Sequence, residues 1–510
     1  MLPPSVPAAT SSVAARQRLR VRSWPPSLPS SAAGWVLAAL VVVGIALRVL
    51  ATISWWPATT TLSDAISFAG YAEHDPLGSP QHPPGYALTL DVIGLFTREV
   101  AVTIAIQHLL GIGSALLTFS AVRRLCGSAW PGIAAAAIML LDGDLIYLEQ
   151  SVMSESTFVF VLSVALYACV RAIDEPDTVW GWPLVAGVAL GLCVWMRAAG
   201  LFLVPVAIVV LILARPRPWR SGDNSRSWRG PATAALAAAV VLLGLAVSNK
   251  LANDRLEIGP AQGWHLYQRV APFADCSQFT PPAGTEALCE NTPRDRRLGG
   301  DHYLYDEDSP ARQAFGAVGT EDAKLGAFAR QVILHQPLDY ARAMWNDLTA
   351  YWVPSGHPFV DGGGGDLDPQ LDWEITLPPD SRFDTETKRF TEQGMEVFFD
   401  PFTVDQWAGG IRFLDTEQRL FRFGGTLLTI TTALVLLGLA IGPRRSRLGV
   451  LLLGAGGLAL LVAPTVSAIY IGRYTVPIAG PMVGAAAIAV FELWRMEAAR
   501  RRLARREVAA

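Results

Sequence analysis

The chain has 510 residues, of which 51% are hydrophobic and only 17% are charged, and its formal net charge is −3. The apolar residues come in runs of about 17–22, the length that crosses a bilayer core, where backbone groups must be satisfied within a helix. This pattern excludes a soluble globular protein and predicts an all-α polytopic membrane protein.

Ten membrane spans are predicted along the chain. They lie at roughly 34–56, 100–121, 130–148, 156–172, 180–197, 199–214, 231–249, 421–442, 448–470 and 474–494. With the N-terminus inside, the predicted inner segments carry 21 arginines, whereas the short outer segments carry Arg98, Arg197 and Arg473. The positive-inside rule therefore places both termini in the cytoplasm and predicts a protein of the cytoplasmic membrane.

This topology divides the chain into five regions. They are a disordered cytoplasmic tail at 1–33, an N-terminal transmembrane module at 34–250 with an outer loop at 57–99, an extracytoplasmic domain at 251–420, C-terminal transmembrane helices at 421–494 and a basic cytoplasmic tail at 495–510. Within the extracytoplasmic domain, apolar residues at helical spacing predict one amphipathic helix before Pro337 and a second one that begins at Pro337. A mainly helical domain is therefore expected there.

The first outer loop carries the sharpest polar pattern. Asp64 precedes an apolar stretch and is expected to open a short helix, where the helix dipole alone would explain it. Further on, His82-Pro83-Pro84-Gly85-Tyr86 predicts a rigid extended segment followed by a tight turn at Gly85. Such a turn would aim His82 at a fixed point, although a single exposed histidine is also explained as a solvated loop residue.

A second acidic segment lies between the third and fourth predicted spans. Asp142, Asp144, Glu149 and Glu155 cluster around a short turn that the topology also places outside. Carboxylates at a membrane surface are costly unless they are paired, solvated or face a cavity. Glu155 either caps the next helix or faces a site shared with the first loop.

Two arginines lie close to the predicted outer surface. Arg48 is in the first span and either snorkels to the interface or contacts a lipid-linked phosphate. Arg473 precedes Tyr474 and Pro477 at the outer end of the last span, and it either snorkels or binds a phosphate or a sugar acid.

Five cysteines occur, and two of them lie in the predicted extracytoplasmic domain. Cys276 and Cys289 are close in sequence, and an oxidising exterior favours a disulfide between them, the alternative being two unpaired thiols.

Taken together, these motifs resemble those of the GT-C superfamily of integral membrane glycosyltransferases. The resemblance is greatest to family 39 and to enzymes of the lipid A aminoarabinose transferase type. It rests on the acidic residue of the first loop, the His-Pro-Pro turn, the acidic segment at 142–155 and the terminal Arg473-Tyr474 with Pro477. Scarce lysine beside abundant arginine and alanine also resembles the bias of GC-rich actinobacterial genes.

The resemblance implies an enzyme that moves a sugar from a polyprenyl-phosphate carrier to an acceptor outside the membrane. It implies that Asp64 and Glu155 are catalytic, and that His82, Arg473 and Arg48 bind the donor phosphate. Pro83, Pro84, Tyr86 and Tyr474 would position these groups. An envelope glycan or a glycolipid is the expected acceptor. A protein acceptor is disfavoured, because Asp64 is followed by Ala65 where protein O-mannosyltransferases have adjacent acids.

The chemistry of such a transfer suits these residue types. A positioned carboxylate accepts the proton of the acceptor hydroxyl, and cationic groups stabilise the departing phosphate. An inverting single displacement needs one base and is preferred here. The acidic residues leave a divalent cation open as a cofactor, but no ligand cluster has convincing spacing. No nucleic acid partner is expected.

Two other classes of function compete with a transferase. A lipid or glycan transporter, or a flippase, predicts mid-span ionisable residues and paired half-repeats, whereas the charges here gather at the outer surface. A non-catalytic scaffold for envelope assembly would tolerate loss of Asp64.

Overall fold

The computed structural model describes residues 31–59, 64–174, 180–215, 228–259, 261–353 and 391–509. In the N-terminal half the helices are α1 (Ala32–Ser54), α2 (Asp64–His74), α3 (Gly85–Gly94), α4 (Val100–Cys126), α5 (Ala129–Leu141), α6 (Gly143–Glu149), α7 (Ser154–Asp174), α8 (Trp182–Met196), α9 (Gly200–Ala214) and α10 (Arg229–Asn253). In the C-terminal half they are α11 (Gln262–Val270), α12 (Gly300–Tyr305), α13 (Pro310–Phe315), α14 (Asp322–His335), α15 (Pro337–Ala350), α16 (Ala408–Leu420), α17 (Gly425–Ile441), α18 (Arg444–Val450), α19 (Gly456–Ser467) and α20 (Ala479–Ala509).

The helical membrane architecture agrees with the predicted fold class. Within the described ranges, seven helices are long and apolar enough to cross a bilayer, or eight if the bent pair α5 and α6 forms one span. The first of them, α1, leaves large apolar side chains such as Val42 and Ile53 more than half exposed. Side chains of this kind on an outer helix face are suited to contact lipid. The protein is therefore a multi-pass membrane protein with seven or eight candidate spans.

Judged by length and composition, the described helices provide fewer candidate spans than the ten that the sequence predicted. The two segments that fall short are α8 and α9, at the predicted positions 180–197 and 199–214, and each has 15 residues. At 1.5 Å per residue such a helix is only about 22 Å long, less than a hydrocarbon core of about 30 Å. The chain turns at Arg197, whose extended backbone ends α8.

The predicted span at 130–148 is broken rather than continuous. Helices α5 and α6 meet at 54°. Asp142 occupies the break: its Oδ1 accepts a hydrogen bond from the backbone N–H of Leu145 (2.9 Å) and its Oδ2 accepts one from that of Phe423 (2.8 Å). This aspartate therefore caps α6 and ties it to the start of α17.

The polar region 261–353 is built from short helices around its own core. Trp264, Tyr267, Phe328 and Tyr303 are buried together at its centre. Helices α14 and α15 are the two amphipathic helices that the sequence predicted, and Pro337 is the first residue of α15. The disulfide between Cys276 and Cys289 is present, as predicted.

Removing this disulfide should destabilise the polar region. Closing a loop of 13 residues contributes roughly 3 kcal/mol in the chain-entropy model. We expect the double variant Cys276→Ser/Cys289→Ser to lose about that much unfolding free energy, measured by denaturant titration in detergent. Reducing agent should lower the stability of the unmodified protein and leave the variant unchanged. Equal sensitivity of both to reductant would contradict this prediction.

Several predicted boundaries differ from the observed elements. Helix α20 continues to Ala509, so the segment predicted as a separate basic tail from 495 is part of a long helix. Helix α16, predicted within the extracytoplasmic domain, packs against α1, and residues Trp55–Trp56 pair antiparallel with Asp405–Gln406 in a two-stranded ladder. The predicted N-terminal tail up to residue 30, most of the basic 215–229 loop and residues 354–390 lie outside the described residues.

Candidate active site

Asp64 is the first residue of α2, the short helix that the sequence predicted there. Its Oδ2 lies 2.6 Å from Nη2 of Arg473, a residue 409 positions away. The Arg473 side chain is 11% exposed, so it does not snorkel to solvent. The first loop and the segment before the last helix thus meet through a direct ion pair.

Glu155 lies in the first turn of α7 and faces the same arginine. Its Oε1 is 3.4 Å from Nε of Arg473 and 2.5 Å from Nη1 of Arg197. Asp64, Arg473, Glu155 and Arg197 therefore alternate in charge, and we call these four residues the ion-pair cluster. The two negative and two positive charges balance, and their mutual attraction offsets part of the desolvation cost of burying them.

Arg197 is the member of the cluster that the sequence did not single out. In the sequence it is one of three arginines in short outer segments, yet its side chain is just 14% exposed. Its guanidinium carbon lies 4.9 Å from the centre of the Tyr474 ring. The one available signal was its place as a lone cation between two apolar segments, where a charge needs a partner.

Three atoms of the cluster lack a well-oriented hydrogen bond. They are Nε of Arg473 and both carboxylate oxygens of Glu155, which are buried and make none among the described residues, although Oε1 of Glu155 lies 2.5 Å from Nη1 of Arg197. Their ion pairs supply charge compensation but not well-oriented hydrogen bonds. A buried polar atom without a hydrogen bond calls for an explanation, such as a bound molecule that supplies the partner or a role in catalysis.

The pKa of Asp64 reflects this environment. Burial raises it, but the charges of Arg473, His82 and Arg197 and the hydrogen bond from Arg473 outweigh burial and lower the pKa to about 2. The carboxylate is therefore ionised throughout the physiological pH range.

His82 faces the same space as Asp64. The backbone N–H of His82 donates to Ser79 Oγ (2.9 Å), and its ring packs on Phe68 with 4.8 Å between ring centres. Burial lowers the pKa of His82; Asp64 raises it, and His265, Arg473 and Arg197 lower it further. The imidazole is therefore neutral at pH 7, able to donate one hydrogen bond and accept another.

The lowered pKa of His82 should make stability depend on pH. The unfolded chain binds a proton on this histidine below about pH 6.5, and the folded protein does so only at lower pH. Stability is then complete above pH 6.5 and falls as the pH drops towards the folded pKa. We expect His82→Gln to reduce the decrease in Tm between pH 7.5 and 5. His74→Gln, at an exposed histidine of α2, is the matched control, and identical pH slopes for the two variants would contradict this assignment.

The His-Pro-Pro turn has a different geometry from the predicted one. Gly85 begins α3 instead of forming a tight turn after an extended segment, and Pro84 has the helical φ and ψ of −75° and −9°. A Cβ on Gly85 would lie 2.5 Å from the carbonyl oxygen of Trp195, so the glycine permits close packing against the end of α8. Pro83 and Pro84 still lead directly into a rigid element next to His82.

Tyr86 and Tyr474 support the site from two sides. Tyr86 is fully buried, donates to Gln107 Oε1 (2.6 Å) and packs edge-on against Phe68. Tyr474 follows Arg473 directly and lies under the guanidinium of Arg197. Tyr474 therefore contacts the cluster directly, whereas Tyr86 packs on the Phe68 ring that also contacts His82.

Arg48 does not belong to this group. It is 2% exposed and donates to both oxygens of Glu149, at 2.7 and 2.8 Å, and to the carbonyl of Leu140. Neither predicted alternative, snorkelling or phosphate contact, describes a guanidinium that is buried and already paired. His108 also contacts Glu149 (2.9 Å), so Arg48 has a structural role inside the bundle.

The remaining acidic residues of the predicted cluster also separate. Asp144 accepts from Gln418 (2.6 Å) and Arg422 (2.8 Å), and Asp142 caps α6. Of the four carboxylates near the turn, only Glu155 belongs to the ion-pair cluster in the described part of the chain.

One group of potential metal ligands is present among the described residues. His302, Asp306 and Asp308 offer three ligand atoms within 4.8 Å of one another. This group includes neither Asp64 nor Glu155.

One comparison with known protein families gives a match. A family model described as dolichyl-phosphate-mannose-protein mannosyltransferase matches residues 95–253 of the chain. The match covers 159 of the 510 residues and agrees with the predicted class of enzyme, a glycosyltransferase that uses a polyprenyl-phosphate sugar.

Two solved structures have low overall similarity to the chain. One is the apo oligosaccharyltransferase of Archaeoglobus fulgidus, with a TM-score of 0.45 and 12% identity over 92% of this chain and 52% of that one. The chain thus spans about half of its length. The other is ArnT of Cupriavidus metallidurans bound to undecaprenyl phosphate, with a TM-score of 0.31 and 15% identity over 90% of this chain and 78% of that one. No curated protein matches the chain.

Proposed function

We propose that this enzyme transfers a sugar from a polyprenyl-phosphate carrier to an envelope glycan or glycolipid, at the outer face of the cytoplasmic membrane. The observation that carries this proposal is the ion-pair cluster of Asp64, Arg473, Glu155 and Arg197 beside the neutral His82. It joins carboxylates that accept protons to cations that bind phosphate. Glu155 and Arg473 retain buried atoms without hydrogen bonds, which a substrate would complete.

The proposed reaction is a single displacement that inverts the anomeric carbon. The acceptor hydroxyl oxygen forms a bond to this carbon as the bond to the carrier phosphate breaks. The hydroxyl proton passes to Asp64, and the electron pair leaves with the phosphate. Arg473, Arg197 and His82 stabilise the charge that develops on this phosphate.

Arg473 links donor binding to the basicity of Asp64. With a pKa of about 2, Asp64 is a weak base while Arg473 is its partner. A donor phosphate would compete for this guanidinium and remove part of the charge that holds the pKa down. Asp64 would then become a stronger base only when the donor is bound. Proton abstraction from an acceptor hydroxyl is therefore disfavoured while the donor is absent.

The sequence context of Asp64 bears on the acceptor. The family description names a protein acceptor, but the matched residues begin at 95 and exclude the first loop. Ala65 follows Asp64 in that loop, so the adjacent pair of acids is missing. A glycan or glycolipid acceptor is therefore favoured over a protein.

The test is release of free polyprenyl phosphate by the purified protein in lipid vesicles. A panel of polyprenyl-phosphate sugars is supplied with a crude envelope extract as the acceptor source, and the product is analysed for the anomeric configuration. Turnover with one sugar supports the proposal and names the donor. A folded protein that releases no polyprenyl phosphate with any donor would overturn it in favour of a transporter or scaffold.

A further inference from the structure

A buried ion pair joins two helices of the polar region. Nη1 of Arg269, on α11, lies 2.5 Å from Oδ2 of Asp347, on α15. The two side chains are 5% and 11% exposed. The pair is therefore shielded from solvent and from salt.

The same carboxylate oxygen contacts the backbone that precedes Arg473. The N–H of Tyr470 donates to Oδ2 of Asp347 at 3.0 Å. Tyr351, at the end of α15, donates to the carbonyl of Ile471 (3.3 Å), and its ring lies 4.6 Å from that of Tyr470. These contacts fix the two residues that lead into Gly472 and Arg473.

The segment between α19 and the following 3₁₀ helix depends on such contacts. Helix α19 ends at Ser467, the 3₁₀ helix begins at Gly472, and the residues between them are irregular. An irregular segment lacks a repeating ladder of backbone hydrogen bonds, so its conformation is set by its neighbours. The neighbour here is α15, which also holds the carbonyl of Val466 through the hydroxyl of Tyr340 (2.7 Å).

Stability alone does not account for the buried pair. Nε and Nη2 of Arg269 are buried without a hydrogen-bond partner in the described part of the chain. In a buried ion pair with unsatisfied donors, the attraction offsets the desolvation cost poorly. Replacing such a pair by apolar residues of similar size often leaves the free energy of unfolding unchanged or raises it. What apolar residues would not provide is an acceptor for the N–H of Tyr470.

We propose that Asp347 is a positioning residue for the transferase reaction, and that Arg269 holds it in place. Asp347 fixes Tyr470 and thereby sets where the guanidinium of Arg473 meets Asp64. The polar region is then a part of the active unit and not only a module beside it. This inference rests on the proposed function.

The first measurement does not depend on activity. Hydrogen exchange of the peptide that contains Tyr470 is compared in the unmodified protein and in Arg269→Met/Asp347→Leu, which removes both charges together. We expect exchange about tenfold or more faster in the variant, as for loss of a hydrogen bond to a charged group, with an equal or higher Tm. Asp339→Asn is the matched control, since Asp339 also lies on α15 and is a partly exposed partner of Arg294. Unchanged exchange in the double variant would overturn the proposal.

The second measurement separates positioning from general damage. We expect Arg269→Met/Asp347→Leu to lower kcat at least tenfold, and Asp347→Asn, whose amide oxygen still accepts from Tyr470, to retain more activity. In a background of Arg473→Lys the double change should cost little more, because both act on the same group. Full additivity, or a kcat loss that follows Tm, would overturn the proposal. Inactivity of the unmodified protein would instead count against the proposed function, and the exchange data would still decide the positioning role.

Discussion

Replacing Asp64 by asparagine is expected to lower kcat by ~10²–10⁴-fold, the range for loss of a positioned general base. Asparagine keeps the shape and can still accept a hydrogen bond, but it cannot take the proton of the acceptor hydroxyl. Asp64 contacts Arg473 directly at 2.6 Å, so the change also removes the negative charge that faces that arginine. The assay is release of polyprenyl phosphate under saturating donor, normalised to folded protein.

The control for this change is Asp75→Asn. Asp75 is an exposed aspartate just after α2, where its Oδ1 accepts from the backbone N–H of Leu77. This control should keep its kcat. If Asp64→Asn were as active as the control, the enzyme class would stand, but Asp64 would not be the base, and Glu155 would become the candidate.

The second large effect is expected from Arg473→Lys. Lysine preserves the charge but cannot reach two carboxylates at once with a planar, forked donor set. Arg473 contacts Asp64 through Nη2 and Glu155 through Nε, so both contacts depend on that fork. We expect kcat to fall on the order of 10²-fold, as when one preorganised donor to a developing charge is lost.

The matched control is Arg48→Lys, a change at another buried arginine with a carboxylate partner. This substitution should lower Tm through the lost contacts with Glu149 while leaving kcat per folded molecule nearly unchanged. Equal losses of kcat at the two positions would show that the effect of Arg473→Lys is general damage. A selective kcat loss at Arg48 would restore its predicted phosphate role.

Asp64 and His82 should respond to acid in different pH ranges. Because the pKa of Asp64 is about 2, its ionised form contributes stability at and above about pH 4 and loses it only as the pH falls towards 2. The first loss of activity on acidification is therefore expected from His82 and not from Asp64. A pH–rate profile of His82→Gln that keeps this loss would contradict the assignment.

The sequence by itself determined the membrane class, the short helix that begins at Asp64 and the disulfide. A long apolar run in lipid must satisfy its backbone hydrogen bonds within a helix, so such runs predict membrane-spanning helices directly. Asp64 at the head of α2 and Pro337 at the head of α15 follow from local preferences of the first helical turn. Helix starts of this kind depend on residues close in sequence, so they can be predicted from the sequence alone.

Only the tertiary structure decided which charges meet. Arg48 and Arg473 looked alike in sequence, yet one pairs with Glu149 inside the bundle and the other with Asp64 and Glu155. Arg197 joined the cluster because the break between α8 and α9 lies next to the start of α7. The physical reason is that a buried charge is satisfied by whatever opposite charge the packing brings within a few ångströms, and periodicity along the chain carries no record of contacts between residues hundreds of positions apart.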